Sequence, residues 1–368
     1  MSTPRSIDLP DLVRSVILKT PRGVFAALQA QPAIGVCERK PAILVPGYTG
    51  SKEDFIPVLR PLAAGRCVTA IDMRGQYQSA AAARKDGYTP DELAADIGAV
   101  AEAIAPDEDE VHLLGHSLGG LIARHAVLAR RSGIASLTLL GSGPGSITGR
   151  KHDLLRSMLA LARSHGSGNH DAGHGSPGHG SPGYGSDPTR LRGWAEQLWA
   201  EHLEPQARAE GVAEHIMAFL RSRHLANCPT ALVVMGDYLL SCPDRTAELA
   251  RVGGPPILVM YGENDDAWPP EVQDRMGRRL RAQRVCIPGA AHSPAIEAPE
   301  TTASTLTSFW NSAEEVSRRR HREIHRATAR AAQPAQYAAG VRRPGYSPVP
   351  AARLPGGAAS PASGRGGC

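Results

Sequence analysis

The stretch VHLLGHSLGGLIARHAVLAR, residues 111–130, joins an apolar run, a glycine-rich turn and a segment with helical spacing. The apolar run predicts a buried strand, and the segment after the turn predicts a helix. A G-x-S-x-G turn between a strand and a helix strains its central residue and lifts that side chain off the sheet. We therefore expect Ser117 to stand exposed at a helix N-terminus, with Gly115 and Gly119 leaving room for the crossing.

A serine in this position suits nucleophilic attack, because the helix amides and the positive end of the helix dipole face whatever approaches it. The negative charge that the attack creates then meets donors that are already in place. The backbone N–H of Leu118 is one predicted oxyanion donor. The loop LVPGYTGS, residues 44–51, follows an early strand and should supply the other, from Tyr48 or less favourably from Thr49.

A serine hydroxyl also needs a base, and the base needs an orienting group. His292 lies in GAAHSP, directly after the last predicted strand. Glu263, Asp265 and Asp266 all follow another strand, ILVMY. Because parallel strands deliver their carboxyl ends to one rim, a serine, a histidine and an acid can meet there although they lie far apart in the chain.

Short apolar runs rich in Val, Ile and Leu alternate with helix-like stretches over much of the chain. This alternation predicts an α/β fold with a mostly parallel sheet covered by helices on both faces. Between residues 145 and 252 the alternation stops, and helical periodicity predicts a helical cap over the carboxyl ends of the strands. The segment NCPTALVVMGDYLLS is read as a helix with Asn227 as its cap, although its ALVVM run would also fit a strand.

Composition separates the remaining segments. A Gly/His/Ser/Pro-rich loop carries the repeat HGSPG-HGSPG-YGS, and the chain ends in an Arg-rich tail; both are predicted to be disordered. The predicted organisation is an N-terminal extension (1–34), a core (35–144 and 253–312), a cap (145–252) with its loop (164–188), and a tail (313–368).

Over residues 35–312 the chain resembles the α/β-hydrolase superfamily, in its cofactor-free form with a serine nucleophile. GHSLGG matches the nucleophile elbow and gives Ser117 as the nucleophile. YGENDDAWP resembles the family pattern G-x-x-D-x-x-x-P, which selects Asp265 over Asp266. GAAHSPAIEAPE resembles the family ending G-x-x-H-x-x-x-x-E-x-P and gives His292 as the base.

The chain departs from the family pattern in two places. The segment IDMRGQYQS is similar to the loop D-x-R-G-x-G-x-S, with Gln78 read as standing where glycine is usual. The oxyanion loop usually reads His-Gly, and here it reads Pro46-Gly47, so a hydrogen bond made by that histidine is missing. Because of the second departure, the oxyanion donor in this loop is not fixed by the pattern, whereas the predicted triad is unaffected.

The resemblance implies hydrolysis of a carboxylic ester, thioester or lactone through an acyl-enzyme, with no metal and no organic cofactor. Family members with the same triad also include acyltransferases, carbon–carbon hydrolases and cofactor-free haloperoxidases. A non-catalytic small-molecule receptor is a further alternative. Trp268, beside the acid, and Trp194, in the cap, are predicted to line an apolar pocket for the acyl substrate. His112, His116 and His125 are read as structural.

Charge and cysteine content indicate the expected partners, the redox state of the thiols and the localisation. The tail from Ala313 holds ten Arg and three Glu, hence +7, so the rest of the +5 chain is slightly acidic and predicts no nucleic-acid binding by the globular part. Six cysteines without a CxxC pair are read as reduced thiols. No signal peptide or membrane span is evident, so the protein is expected to be cytoplasmic and without a membrane partner. The oligomeric state is left open.

Overall fold

The computed structural model describes residues 2–33, 39–106, 110–129, 133–166 and 188–332. Two compact units divide the chain, Met1–Arg320 and His321–Cys368, and the architecture below is that of the first. None of the helices in the described part of the chain combines the length and the apolar character that a bilayer crossing requires.

An eight-stranded sheet forms the centre of the first unit, with the strand order β1-β2-β4-β3-β5-β6-β7-β8. The strands from β4 to β8 in this order run parallel, whereas β1 pairs antiparallel with β2 and β2 antiparallel with β4. The predicted α/β class with a mostly parallel sheet is thereby confirmed. The strands are Val13–Thr20 (β1), Gly23–Ala30 (β2), Ala42–Val45 (β3), Val68–Ile71 (β4), Val111–His116 (β5), Ile134–Leu140 (β6), Ile257–Gly262 (β7) and Gln283–Ile287 (β8).

The sheet is buried on both faces because successive side chains of a strand point to opposite sides. In β3, Ile43 and Val45 belong to one apolar cluster, while Ala42 and Leu44 belong to the other. This explains why the central strands read as continuous apolar runs. β5 lies between β3 and β6, so the turn after it opens at the middle of the carboxyl rim.

The N-terminal segment differs from its prediction. Residues 1–34 were expected to be an extension, yet β1 and β2 lie within them and add two strands to the sheet edge. β1 is one of the two edge strands, and its outward-facing Ile17 is 60 % exposed. Because β1 has a solvated face and only weak apolar alternation, the sequence pattern does not predict this strand.

Twelve α-helices surround the sheet in the described residues, and six of them, α4 to α9, lie in the predicted cap range. The segment after Cys228 forms a helix, as predicted, but the residue preceding it is Cys228 and not Asn227. The helices are Ile56–Leu62 (α1), Pro90–Ile104 (α2), Leu118–Ala129 (α3), Gly149–Gly166 (α4), Pro188–Leu198 (α5), Glu204–Ala209 (α6), Glu214–Ala226 (α7), Pro229–Ser241 (α8), Thr246–Arg251 (α9), Pro270–Arg279 (α10), Pro294–Glu297 (α11) and Pro299–Ala332 (α12).

Two predicted disordered segments are only partly described. The loop 164–188 begins inside α4, which extends to Gly166, and residues 167–187 lie outside the described residues. The tail was expected to be disordered from residue 313, but α12 continues through Ala332; residues 333–368 lie outside the described residues. Charged residues with high helix propensity extend a helix without an apolar face, and apolar periodicity does not reveal such an extension.

One cysteine prediction is wrong. Cys67 forms a disulfide, and its partner lies outside the described residues. Cys228, Cys242 and Cys286 are free thiols, as predicted. Pairing depends on the spatial distance between two thiols, which the scattered spacing of the cysteines does not reveal.

Candidate active site

The turn after β5 has the strained geometry that its sequence predicts. Ser117 has a φ of +53°, in the left-handed region that side chains rarely adopt. A Cβ on Gly115 would lie 2.2 Å from the carbonyl oxygen of Gly119, and one on Gly119 would lie 2.4 Å from that of Pro46. Both glycines are therefore required by close backbone approach. Ser117 is only 8 % exposed, less than expected, because Gly47, His116 and His292 surround it.

Three side chains from separate strand ends meet at this turn. His292 Nε2 lies 3.0 Å from Ser117 Oγ, and His292 Nδ1 lies 3.0 Å from Asp265 Oδ1. Ser117 follows β5, Asp265 follows β7, and His292 follows β8, so each reaches the same rim of the parallel sheet. The chain of hydrogen bonds from carboxylate to imidazole to hydroxyl is continuous.

Asp265 is held by four donors. Its Oδ1 accepts the backbone N–H groups of Ala267 and Trp268 at 2.9 and 3.3 Å, besides the imidazole of His292. Its Oδ2 accepts from Gln273 Nε2 at 2.9 Å. Burial raises the pKa of Asp265, but His292, the Ala267 amide and Gln273 together outweigh it, and the net pKa is lowered. Asp265 is thus an ionised, fixed acceptor for the imidazole.

The two rival acids lie elsewhere. Asp266 points away from the site, with its side chain 64 % exposed and paired with Lys151 at 2.6 Å. Glu263 is exposed and accepts the N–H of Gly289 at 2.9 Å. Neither carboxylate bonds to His292 in the part of the chain that the structure describes.

His116 is the last residue of β5, directly before Ser117, and is buried. Its Nε2 donates to the backbone oxygen of His292 at 2.8 Å, which helps to fix the loop that carries His292. Burial, together with the nearby His292, lowers the pKa of His116 to about 3, so it remains neutral. Its ring therefore acts as a neutral donor that supports the loop of His292.

The two predicted oxyanion amides, the N–H groups of Leu118 and Tyr48, have no hydrogen-bond acceptor among the described residues. A Cβ on Gly47 would lie 3.0 Å from Ser117 Cβ, so Gly47 packs directly against the predicted nucleophile. Thr49 has a φ of +58° and donates its hydroxyl to Tyr48 O, which shapes the loop locally.

In the loop after β4, the prediction for the second glycine of the pattern D-x-R-G-x-G-x-S is wrong by one residue. Gln78 was read as standing where glycine is usual, but Tyr77 has a φ of +39° and fills the position that favours glycine. Counting five residues on from Asp72 in the pattern also gives Tyr77. Asn227 Oδ1 accepts the N–H of Tyr77 at 3.1 Å, which stabilises this conformation.

The two predicted substrate-binding tryptophans are both buried, each with 1 % exposure. The ring centroid of Trp268 lies 6.1 Å from that of His292, and its indole N–H donates to the backbone oxygens of Gly145 and Ser146. Trp194 packs among the cap helices and donates to Met158 O. Trp268 thus lies beside His292, and Trp194 belongs to the cap's apolar interior.

Two further histidines have ordinary structural partners. His112 of β5 lies between Ser136 Oγ of β6, at 2.7 Å, and Glu314 Oε1 of α12, at 3.1 Å. His125 lies between Asp91 Oδ1 at 2.9 Å and the hydroxyl of Tyr238 at 2.8 Å, where α2 and α3 meet the cap.

Comparison with known proteins gives the class. A model of the alpha/beta hydrolase family matches residues 42–305, and the chain belongs to this family. It is 32 % identical over 271 residues to the dihydrolipoyllysine-residue acetyltransferase component of an acetoin cleaving system from Pseudomonas putida, covering 73 % of this chain and 63 % of that protein. The chain therefore spans less than two thirds of that curated relative.

A second relative is a pimeloyl-[acyl-carrier protein] methyl ester esterase from Neisseria meningitidis, 26 % identical over 73 % of this chain and 76 % of that protein. Among solved structures, an enol-lactonase from Burkholderia xenovorans superposes with a TM-score of 0.59 at 16 % identity, covering 80 % of this chain and all of that one. This structural likeness supports the fold.

Two buried glutamine side chains at the site are not predicted by the sequence. Gln273 lies in α10 and binds Asp265, and Gln76 binds the oxyanion loop. Both are completely buried. A glutamine inside a helix or a loop carries no periodic or motif signal, so only three-dimensional proximity reveals what it holds.

Proposed function

We propose that the protein is a serine hydrolase that cleaves a carboxylic ester, a thioester or a lactone of a small acyl substrate. The carrying observation is the continuous chain from Asp265 through His292 to Ser117, with both hydrogen bonds at 3.0 Å. This is the arrangement that converts a weak hydroxyl into a nucleophile.

In the first half-reaction His292 Nε2 takes the proton of Ser117 Oγ while the oxygen attacks the substrate carbonyl carbon. The carbonyl oxygen becomes an oxyanion and accepts the N–H groups of Leu118 and Tyr48. Asp265 keeps the imidazole in the required tautomer and stabilises the imidazolium. His292 then gives its proton to the leaving alcohol or thiol, and an acyl-serine remains.

In the second half-reaction His292 takes a proton from a water molecule as that water attacks the acyl-serine. The same two amides stabilise the second oxyanion. When this intermediate collapses, the proton on His292 returns to Ser117 Oγ, the acid is released and the free enzyme is restored. Every proton that leaves the serine or the water thus passes through one imidazole.

Apolar surroundings support an acyl group of modest size. Trp268 is the tryptophan beside the base, at 6.1 Å between ring centroids, and we assign it to the substrate pocket. Trp194 is proposed to shape the cap interior above that pocket. The esterase and lactonase names of two similar proteins agree with an ester or lactone bond.

A panel of chromogenic short-chain and long-chain esters, acyl thioesters and lactones tests this proposal. We expect wild-type protein to turn over at least one class, and Ser117→Ala to lose about 10⁴-fold or more in kcat without losing its thermal transition. Wild-type protein that is folded but inert toward every class would refute the proposed activity.

Acyl transfer to another acceptor is the second candidate, and the name of the 32 % identical relative favours it. The two activities share the acyl-serine and differ in what attacks it. Adding alcohols or thiols during ester turnover separates them. For a hydrolase, free acid remains the main product, whereas for a transferase the acceptor captures most of the acyl group at concentrations far below that of water.

A further inference from the structure

Gln76 is a completely buried amide that the mechanism above does not use. It lies in the loop after β4, and its Nε2 donates to the backbone oxygen of Gly47 at 2.9 Å. Its Oε1 accepts the N–H of Met73 at 3.3 Å. A carbonyl oxygen only accepts and an amide N–H only donates, so these two partners fix which end of the side chain faces Gly47.

Gly47 O and the N–H of Tyr48 belong to the same peptide unit. A planar trans peptide points its carbonyl and its N–H in opposite directions. A donor that holds Gly47 O therefore also fixes the direction of the Tyr48 N–H. Gly47, which begins this peptide, packs against Ser117, since a Cβ on Gly47 would be 3.0 Å from Ser117 Cβ.

The oxyanion loop is also held through the Tyr48 hydroxyl, which donates to Leu232 O at 2.8 Å, but the Gly47 carbonyl itself has few partners. Gly50 N–H also donates to Gly47 O, at 3.1 Å, but this bond closes a turn within the loop and does not tie it to the rest of the protein. Pro46 stands where the family pattern has histidine, and proline has no N–H to donate. Gln76 is the side chain that joins the Gly47 carbonyl to a neighbouring strand-end loop.

We propose that Gln76 is a positioning residue for the oxyanion hole, holding the Gly47–Tyr48 peptide so that the Tyr48 N–H meets the developing negative charge. The inference rests on the proposed function. Gln76 exchanges no proton and forms no bond with the substrate. Its donation to Gly47 O also polarises the peptide, which strengthens the opposite N–H as a donor.

Gln76→Met tests the role because it keeps the length of the side chain and removes both hydrogen bonds. Removing an oxyanion donor typically costs about 10²- to 10³-fold in kcat, and a donor that is only misdirected should cost less, about 10- to 100-fold. We expect that loss in kcat, with KM changed by no more than about twofold, because the substrate carbonyl carries little charge before attack.

Ser79→Ala is the matched control. Its hydroxyl lies in the same loop, accepts Ala26 N–H at 3.0 Å and donates to Asp72 O at 2.8 Å, and it is also buried. Neither of these hydrogen bonds reaches the oxyanion loop, so this variant should lose stability and keep the wild-type kcat. An equal fall in kcat in both variants would mean that Gln76 only supports the loop after β4, and would overturn the proposal.

A trifluoromethyl ketone that adds to Ser117 provides a measurement that would not change if Gln76 had only a structural role. The adduct carries a hemiketal oxyanion, whose pKa fluorine NMR can follow. Gln76→Met should raise that pKa and weaken inhibition in proportion to its loss in kcat/KM. An unchanged hemiketal pKa would contradict the inference, whereas a wild-type protein that forms no adduct and cleaves no ester would refute the proposed function instead.

If the Gln76→Met variant does not fold, Gln76→Glu provides a second test of the positioning role. An ionised carboxylate facing Gly47 O would repel it, and the protonated acid could donate to it. The ratio of the variant's kcat to the wild-type kcat should therefore rise as the pH falls. A ratio that does not depend on pH would count against the positioning role.

Discussion

Asp265 and Asp266 are chemically identical neighbours that the fold places in opposite surroundings. Asp265 is 5 % exposed and accepts from four donors around the imidazole side of the site. Asp266 is exposed and paired with Lys151 on the surface. At the scale of single residues, position relative to the strand end decides which carboxylate bonds to His292.

Asparagine variants of the two acids separate these roles. Asp265→Asn should lower kcat by about 10³- to 10⁴-fold, because an amide presents a donor where His292 needs an acceptor. Asp266→Asn is the matched control and should stay within about twofold of wild type, since exposed ion pairs contribute little. Steady-state kinetics on one good ester measures both, and a larger loss from Asp266→Asn would reassign the acid.

At the scale of secondary-structure elements, His112 links β5 to α12. His112 in β5 bonds to Glu314 in α12 at 3.1 Å and stacks on Trp310, with ring centroids 5.4 Å apart. Burial lowers the pKa of His112 to about 4, although the hydrogen bond to Glu314 opposes this shift. The folded protein therefore holds His112 neutral in a range where the unfolded chain would protonate it.

This difference predicts an acid-labile link. The unfolded histidine binds a proton below its ordinary pKa of 6.5 and the folded one does not until about 4, so the free energy of unfolding falls as the pH drops between these values. His112→Gln cannot take up that proton. Urea unfolding at pH 7 and pH 4.5 should show a drop that is smaller in the variant by about 2 to 3 kcal/mol. Equal drops would contradict the assignment.

A second link joins the cap to the core. Arg223 of α7 is fully buried and pairs with Asp54 at 2.7 Å, directly after the oxyanion loop. Burial raises the pKa of Asp54, and the Arg223 charge partly offsets that rise. The ion pair therefore fixes the cap in place only while both partners are present.

Removing one partner should cost more than removing both. Arg223→Met leaves a buried carboxylate unpaired and should lower the free energy of unfolding by about 3 to 5 kcal/mol. Combining it with Asp54→Leu should recover most of that loss. Arg278→Met breaks an exposed pair and is the control, with a cost below about 1 kcal/mol. A double variant no more stable than the single one would refute a pair-specific role.

At the scale of the whole molecule, the N-terminal hairpin is part of the sheet. Ala27–Ala30 of β2 pair with Val68–Ile71 of β4, and Phe25 and Leu28 are buried in the two apolar clusters. Deleting residues 2–31 would expose both clusters at one edge. We expect the truncated protein to lose cooperative thermal unfolding. A truncated protein with the wild-type melting temperature would show that the hairpin is dispensable.

Much of this architecture follows from the sequence alone. Continuous apolar strands, the GHSLGG turn and two strand-end motifs gave the fold class and brought Ser117, Asp265 and His292 to one rim, where the structure has them within hydrogen-bond distance. The edge hairpin, the disulfide at Cys67 and the length of α12 did not follow, because none has strong apolar periodicity or a motif. Gln76 and Gln273 act through contacts that only folding creates.

Covalent labelling by an alkyl fluorophosphonate, read by intact mass and peptide mapping, tests the central claim most directly. The account predicts one adduct per chain, located on Ser117, absent in Ser117→Ala and formed about 10³-fold or more slowly in His292→Ala. Folded wild-type protein that takes up no label, or takes it up on another residue while Ser117 stays unmodified, would contradict it.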